Sequence, residues 1–311
     1  MNILYISLGF LLLVIGGEFI VRSSVAISFK FNISKLVIGM TVVAFATSLP
    51  ELIVSVNAAL NGSPAIAINN VIGSNIANIG LILSIVSIFT YIQVDKTFYR
   101  KDWLIMFAFS TLLVIFSITD NLLNQIEGLV LLGSLIIFVY YFVNKTNDDV
   151  ISDNLDDKLA SSSITKIIIW LLVSSLSLFF GAEFLVKGAV NFAQQINISE
   201  AAISVSMVAI GTSMPELATS LIAIAKKEKG ISLGNLIGSN IFNIGSVIGI
   251  TAIIKPIYIA SEIIERDLIW MIFFALLLLF MAVLPKRNVI GKLKGFVILL
   301  VYFLFITIVF I

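Results

Sequence analysis

Apolar residues run along this chain in long blocks broken by short polar intervals. Ten blocks are long enough to cross a bilayer, at about 3–29, 34–60, 65–92, 102–119, 125–143, 164–194, 199–225, 231–257, 267–284 and 293–311. A span needs about 20 mostly apolar residues. The first block, MNILYISLGFLLLVIGG, has neither a basic leader nor a small-residue cleavage site, so it reads as a first span and not a signal peptide. The only polar run of any length is NKTNDDVISDNLDDKLASSS at 144–163. It divides the chain into a five-span half at 1–143 and another at 164–311. The pattern predicts an all-α membrane protein of ten transmembrane helices.

The two halves repeat each other. GGEFIVRSSVAISFKFNIS at 16–34 aligns with GAEFLVKGAVNFAQQINIS at 181–199, ATSLPELIVS at 46–55 with GTSMPELATS at 211–220, and NNVIGSNIANIG at 69–80 with GNLIGSNIFNIG at 234–245. One ungapped offset of 165 residues serves all three, and 28 of the 65 positions in 16–80 match those in 181–245. Apolar helices that resemble each other by chance would not keep Pro, Glu, Asn and Ser in step. An odd number of spans per half inverts the second copy. Inverted repeats are an architecture of secondary transporters, whose sites lie near the midplane on interrupted helices.

Composition agrees with the pattern and narrows the chemistry. The chain is 59% hydrophobic and 12% charged, against about 25% charged in soluble domains. Its net charge of +1 says little about partners, and nothing points to nucleic acid. With both termini placed outside and the 144–163 linker in the cytoplasm, 15 of the 19 basic residues fall on the cytoplasmic side. There is no histidine and no cysteine. A bound metal would therefore be held by oxygen, which suits Ca²⁺, Mg²⁺ or Na⁺.

Glu51 lies near the middle of the second span and Glu216 at the matched place in the seventh. A carboxylate at that depth costs several kcal/mol, of order 2.5–3.5 on insertion scales, unless it is paired, hydrated or neutralised. A cation bound between them would be the symmetric partner. Pro50 and Pro215 precede the glutamates and are expected to break the helix and free the carbonyls of Ala46 and Gly211. Thr47-Ser48 and Thr212-Ser213 add hydroxyls. On the third and eighth spans, Ser74 and Asn78 share one helical face, as do Ser239 and Asn243. Ser and Asn in membrane helices also serve as plain interhelical glue, but two buried glutamates in matched TS-x-PE settings favour a site. Glu18/Arg22 and Glu183/Lys187, also repeated, read as intrahelical ion pairs.

These doubled motifs resemble the paired alpha-repeats of the sodium/calcium exchanger family, within the cation/calcium exchanger superfamily, in its compact prokaryotic form. The resemblance covers essentially the whole chain. It implies that Glu51 and Glu216 are central ligands shared by Ca²⁺ and Na⁺, completed by Asn78 and Asn243. It implies flanking sodium sites at Thr47, Ser48 and Ser74, at Thr212, Ser213 and Ser239, and at the carbonyls of Ala44 and Ala209. Several relatives carry Asp where this chain has Asn243. Here the centre holds two formal negative charges, which argues against potassium co-transport.

The expected activity is electrogenic Na⁺/Ca²⁺ antiport in the cell membrane, by a chain working as a monomer in the lipid bilayer. No cofactor is expected, and Ca²⁺ and Na⁺ are the cargo. A Ca²⁺/H⁺ or other divalent-cation antiporter is the nearest alternative, and a cation channel a more distant one. No HExxH motif and no paired aspartates within a span suggest an enzyme.

Overall fold

The computed structural model describes residues 2–94, 98–145, 159, 161–195, 211–284 and 287–310. Its helices are α1 (Asn2–Phe31), α2 (Lys35–Thr47), α3 (Leu49–Leu60), α4 (Ala65–Phe89), α5 (Asp102–Asp120), α6 (Gln125–Lys145), α7 (Ile164–Gln195), α8 (Met214–Ala225), α9 (Lys229–Ile254), α10 (Ile263–Val283) and α11 (Lys292–Phe310). Among the described residues, eight of these are long and apolar enough to cross a membrane. The pair α2 and α3, bent by 42° at its junction, is apolar enough to count as a ninth when taken as one broken span. The expected span 199–225 is represented by α8; residues 199–210, with Ala209, fall outside the described residues.

The chain forms two compact units: Met1–Pro50 with Tyr140–Asn235, and Glu51–Val139 with Leu236–Ile311. Each unit takes segments from both sequence halves.

In the first unit, α1 and α7 pack side by side and antiparallel. At 30 residues, α1 is about 45 Å long, ample for a tilted span. Small residues let the two backbones touch. A Cβ on Gly9 would lie 2.9 Å from the Gly181 carbonyl oxygen, and one on Gly181 would lie 2.9 Å from the Leu13 amide nitrogen. Leu13, Ile20, Val21, Leu178 and Ala223 form the apolar core around this seam. Side chains on the other faces, such as Phe10, Leu11, Leu172 and Leu176, are exposed, as lipid-facing positions should be.

The Gly39 and Gly234 backbones meet just as closely. A Cβ on Gly39 would sit 2.7 Å from the Ile231 carbonyl oxygen. The Lys35 ammonium pairs with the Glu228 carboxylate at 2.8 Å beside this contact.

The second unit is built on α4 and the later part of α9. The apolar windows of α4 and α9 are 78% and 83% buried, against 28% to 39% in the other long spans. That difference marks α4 and α9 as the interior helices. Both contain one stretch of π-helix, at Asn78–Leu83 and Asn243–Ile248, at the same 165-residue offset as the sequence repeat. Such wide turns are rare and gather at functional sites.

Two short antiparallel ladders, absent from the span-by-span reading, also join the halves. Strand β1 (Ile92–Gln93) pairs with β4 (Val289–Ile290), and β2 (Leu122–Leu123) pairs with β3 (Ile257–Tyr258). Strands β1 and β3 are repeat-related, so each ladder takes one strand from each half. Trp103 on α5 ties the unit further by donating its indole N–H to the Ala275 carbonyl at 2.7 Å.

Candidate ion-binding site

The TS-x-PE turns are breaks between helices. Ser48 ends α2 with φ −84° and ψ 3°, and Ser213 precedes α8 with φ −87° and ψ 3°. This sparsely populated region recurs at active sites. Each proline is the second residue of the helix that follows. The sequence predicts a proline inside a span that breaks the helix by removing one of its hydrogen bonds. At a helix start the missing N–H is one that would lack an intrahelical partner in any case.

The break puts Glu51 in the first turn of α3 and Glu216 in the first turn of α8. The partial positive charge of a helix N-terminus stabilises a carboxylate there. Both glutamates are fully buried. The spacing Ser-x-x-Glu is also that of a capping box, in which the glutamate accepts the serine's N–H. At the first break that N–H already donates to the Ala44 carbonyl at 3.0 Å, so Glu51 is not needed as a cap.

Two asparagines brace these turns. Asn235 donates to the Ser220 hydroxyl at 3.2 Å and the Glu216 carbonyl at 3.4 Å, and accepts from the Thr47 hydroxyl at 3.0 Å. Its repeat mate Asn70 donates to the Ser55 hydroxyl at 3.3 Å and the Glu51 carbonyl at 3.5 Å. Sequence reasoning missed both residues. A signal was present, because 70, 74 and 78, like 235, 239 and 243, step by four along one helix face.

The candidate residues divide between the units. Glu51, Ser74, Asn78, Ser239 and Asn243 belong to the second, and Ala44, Thr47, Ser48, Thr212, Ser213 and Glu216 to the first. All but Thr212 are buried. The Ala44 carbonyl accepts from both the Ser48 amide and the Thr47 hydroxyl.

In the second unit the asparagines of α4 and α9 interlock. Asn78 donates its amide to the Asn240 side-chain oxygen at 3.0 Å, and Asn243 donates to that of Asn75 at 3.1 Å. Among the described residues, the Oδ1 atoms of Asn78 and Asn243 and the hydroxyls of Ser48 and Ser213 are buried with no hydrogen-bond partner. A buried polar atom left so costs about 1–3 kcal/mol. These four form two repeat-related pairs at positions expected to hold ions, while elsewhere among the described residues the hydroxyls of Thr219, Ser232 and Thr251 are also buried without a partner. Among the described residues no three acidic side chains cluster, so cation ligation here would combine carboxylates with neutral oxygens.

The remaining charged motifs behave unequally. Glu18 pairs with Arg22 at 2.5 Å and also with Lys226 at 2.8 Å. The expected Glu183–Lys187 pair does not form. Lys187 lies over the Tyr5 ring instead, 5.1 Å from its centre. The acidic residues of the 144–163 linker lie outside the described residues.

Known proteins resemble this chain over nearly its whole length. The family profile for sodium/calcium exchanger proteins matches residues 1–144 and 166–311. A putative antiporter, CaxA, of Alkalimonas amylolytica is 33% identical over 96% of this chain and 95% of its own. The sodium/calcium exchanger MaX1 of Methanosarcina acetivorans is 29% identical over 99% of this chain and 98% of its own. Among solved structures, the sodium-calcium exchanger NCX_Mj, soaked with Na⁺ and Ca²⁺, superposes with a TM-score of 0.83 at 33% identity, over 98% of this chain and 97% of that one. The doubled motifs, the near full-length likeness and the matched fold agree that this chain is a compact, prokaryotic-type member of the sodium/calcium exchanger family.

Proposed function

We propose that the chain is a secondary active antiporter exchanging Na⁺ for Ca²⁺ across the cell membrane by alternating access. The reading has ten spans in two inverted halves, 1–143 and 164–311, with both termini outside and the 144–163 linker in the cytoplasm. One copy of the chain is the working unit. The observation that carries the proposal is the duplication itself. Two fully buried glutamates occupy the first turns of two half-helices, accompanied by matched orphan oxygens at Ser48, Ser213, Asn78 and Asn243. Carboxylate and neutral oxygens are the ligands hard cations take, and MaX1 and NCX_Mj are described as sodium/calcium exchangers.

Charge counting gives the mechanism. Two carboxylates make the empty site −2, one Ca²⁺ neutralises it, and three Na⁺ would leave a net +1. Exchange is then electrogenic, with each net charge moved worth about 2.3 kcal/mol per 100 mV. An empty site would carry its −2 through a low-dielectric region, so the bare carrier resists crossing, and this favours exchange. Asn at both 78 and 243 leaves no third carboxylate for potassium. Glu51, Glu216, Asn78 and Asn243 would form the central position. Thr47, Ser48, Ser74, Thr212, Ser213 and Ser239, with the Ala44 and Ala209 carbonyls, would form the flanking sodium positions.

Proteoliposomes with an outward Na⁺ gradient should accumulate ⁴⁵Ca²⁺, and Glu51→Gln or Glu216→Gln should abolish the uptake. Wild-type rates in either variant would sink the assignment. A pH jump that drives the same uptake without sodium would support Ca²⁺/H⁺ exchange instead.

A further inference from the structure

We propose that Asn75 and Asn240 are positioning residues that turn the amides of Asn78 and Asn243 so that each presents oxygen, and not nitrogen, to the transported cation. The inference rests on reading Asn78 and Asn243 as cation ligands. A carboxamide has two ends of nearly equal size, one accepting and one donating. Before an ion arrives, the site needs something else to choose between them, because an NH₂ group facing a cation would repel it.

The structure supplies that choice through hydrogen bonds crossed between the halves. The Asn240 oxygen takes the Asn78 N–H at 3.0 Å, and the Asn75 oxygen takes the Asn243 N–H at 3.1 Å. Asn75 and Asn240 are oriented in turn. The Asn240 nitrogen faces the Met106 sulfur at 3.6 Å. The Asn75 nitrogen faces the Met271 sulfur at 4.0 Å and donates to the Asn240 carbonyl at 3.3 Å. Met106 and Met271 stand at the same 165-residue offset, outside the aligned motifs. The result is two relays, Met106–Asn240–Asn78 and Met271–Asn75–Asn243, each ending on a buried oxygen with no partner among the described residues. Fixing the ligand's orientation before binding removes an ordering cost from the binding step. It also makes each ligand depend on a residue of the opposite repeat.

The test is a pair of mutant cycles on the reconstituted protein. One compares wild type, Asn240→Leu, Asn78→Ala and the double variant; the other uses Asn75→Leu and Asn243→Ala. Na⁺-driven ⁴⁵Ca²⁺ uptake gives the KM for Ca²⁺, and the rise in melting temperature on adding Ca²⁺ reports binding without transport. Asn240→Leu removes one hydrogen bond to the ligand amide, so it should raise KM about fivefold to tenfold with the saturating rate held within about twofold. In the Asn78→Ala background it should add less than about twofold, because the residue through which it acts is gone. Asn240→Asp, which keeps the accepting oxygen, should fall nearer wild type than Asn240→Leu. Full multiplication of the single effects would overturn the proposal, as would Asn240→Asp behaving worse than Asn240→Leu. If Asn240→Leu does not fold, Asn240→Ala serves in the same cycle. A wild type that needs no sodium gradient would refute the exchanger reading alone, and the Ca²⁺ melting cycles would still decide the relays.

Discussion

Replacing Asn235 with leucine removes the brace beneath Glu216 while keeping the number and branching of its side-chain heavy atoms. Three hydrogen bonds disappear: to Ser220 at 3.2 Å, to the Glu216 carbonyl at 3.4 Å, and from Thr47 at 3.0 Å. If each partner were stranded in the interior, at about 1–3 kcal/mol apiece, the loss would be about 3–9 kcal/mol and the protein would scarcely fold. The partners have alternatives. Thr47 also donates to the Ala44 carbonyl at 3.3 Å. Ser220 can turn to the carbonyl four residues back, as Ser24 and Ser246 do at 2.6 and 2.8 Å. The Glu216 carbonyl lies inside a helix and has a backbone donor. The loss should thus approach the net worth of membrane-buried hydrogen bonds, about 0.6–1 kcal/mol each, or about 2–3 kcal/mol in total. Denaturant titration of wild type and Asn235→Leu in mixed micelles measures it. A loss below about 1 kcal/mol would mean that Asn235 does not brace the turn. One above about 5 kcal/mol would mean that its partners cannot be rescued.

Two further perturbations test the packing. Gly234→Ala drives a methyl group into the Leu36 carbonyl and to within 2.9 Å of the Met40 amide nitrogen, both backbone atoms that cannot swing aside; it should cost about 1–3 kcal/mol in the same titration, whereas Gly133→Ala, which meets nothing within 4 Å, should be neutral or stabilising by up to about 1 kcal/mol. Trp103→Phe loses the indole bond to Ala275 and should lower stability by about 1–2 kcal/mol without changing the KM for Ca²⁺, which uptake assays would show.

Much of the site could be read from one chain because the chain contains it twice. Internal duplication singled out Glu51 and Glu216, the hydroxyls before them and the asparagines at 78 and 243, since apolar helices drift freely while these positions stayed in step. The roles of Asn70, Asn235, Asn75 and Asn240 were not legible. Each was as well matched in the repeat as the ligands, but a hydrogen bond to a neighbouring helix, 15 to 19 positions away for Asn70 and 162 to 188 away for Asn75, Asn240 and the Thr47 bond of Asn235, depends on helix rotation, which no local pattern encodes. Pro50 and Pro215 were read as interrupting a helix because sequence marks a proline without saying whether it kinks one helix or begins the next. That was decided at Ser48 and Ser213, whose backbone angles close one helix and open another.

The sequence alone therefore determined the solvent, the repeat and the residue types offered to a cation, because hydrophobic length, offset and oxygen chemistry are properties of the chain itself. Only the tertiary structure decided which end of each amide is free, which helices are interior and which strands pair across the halves. Those depend on what each residue meets from the opposite repeat.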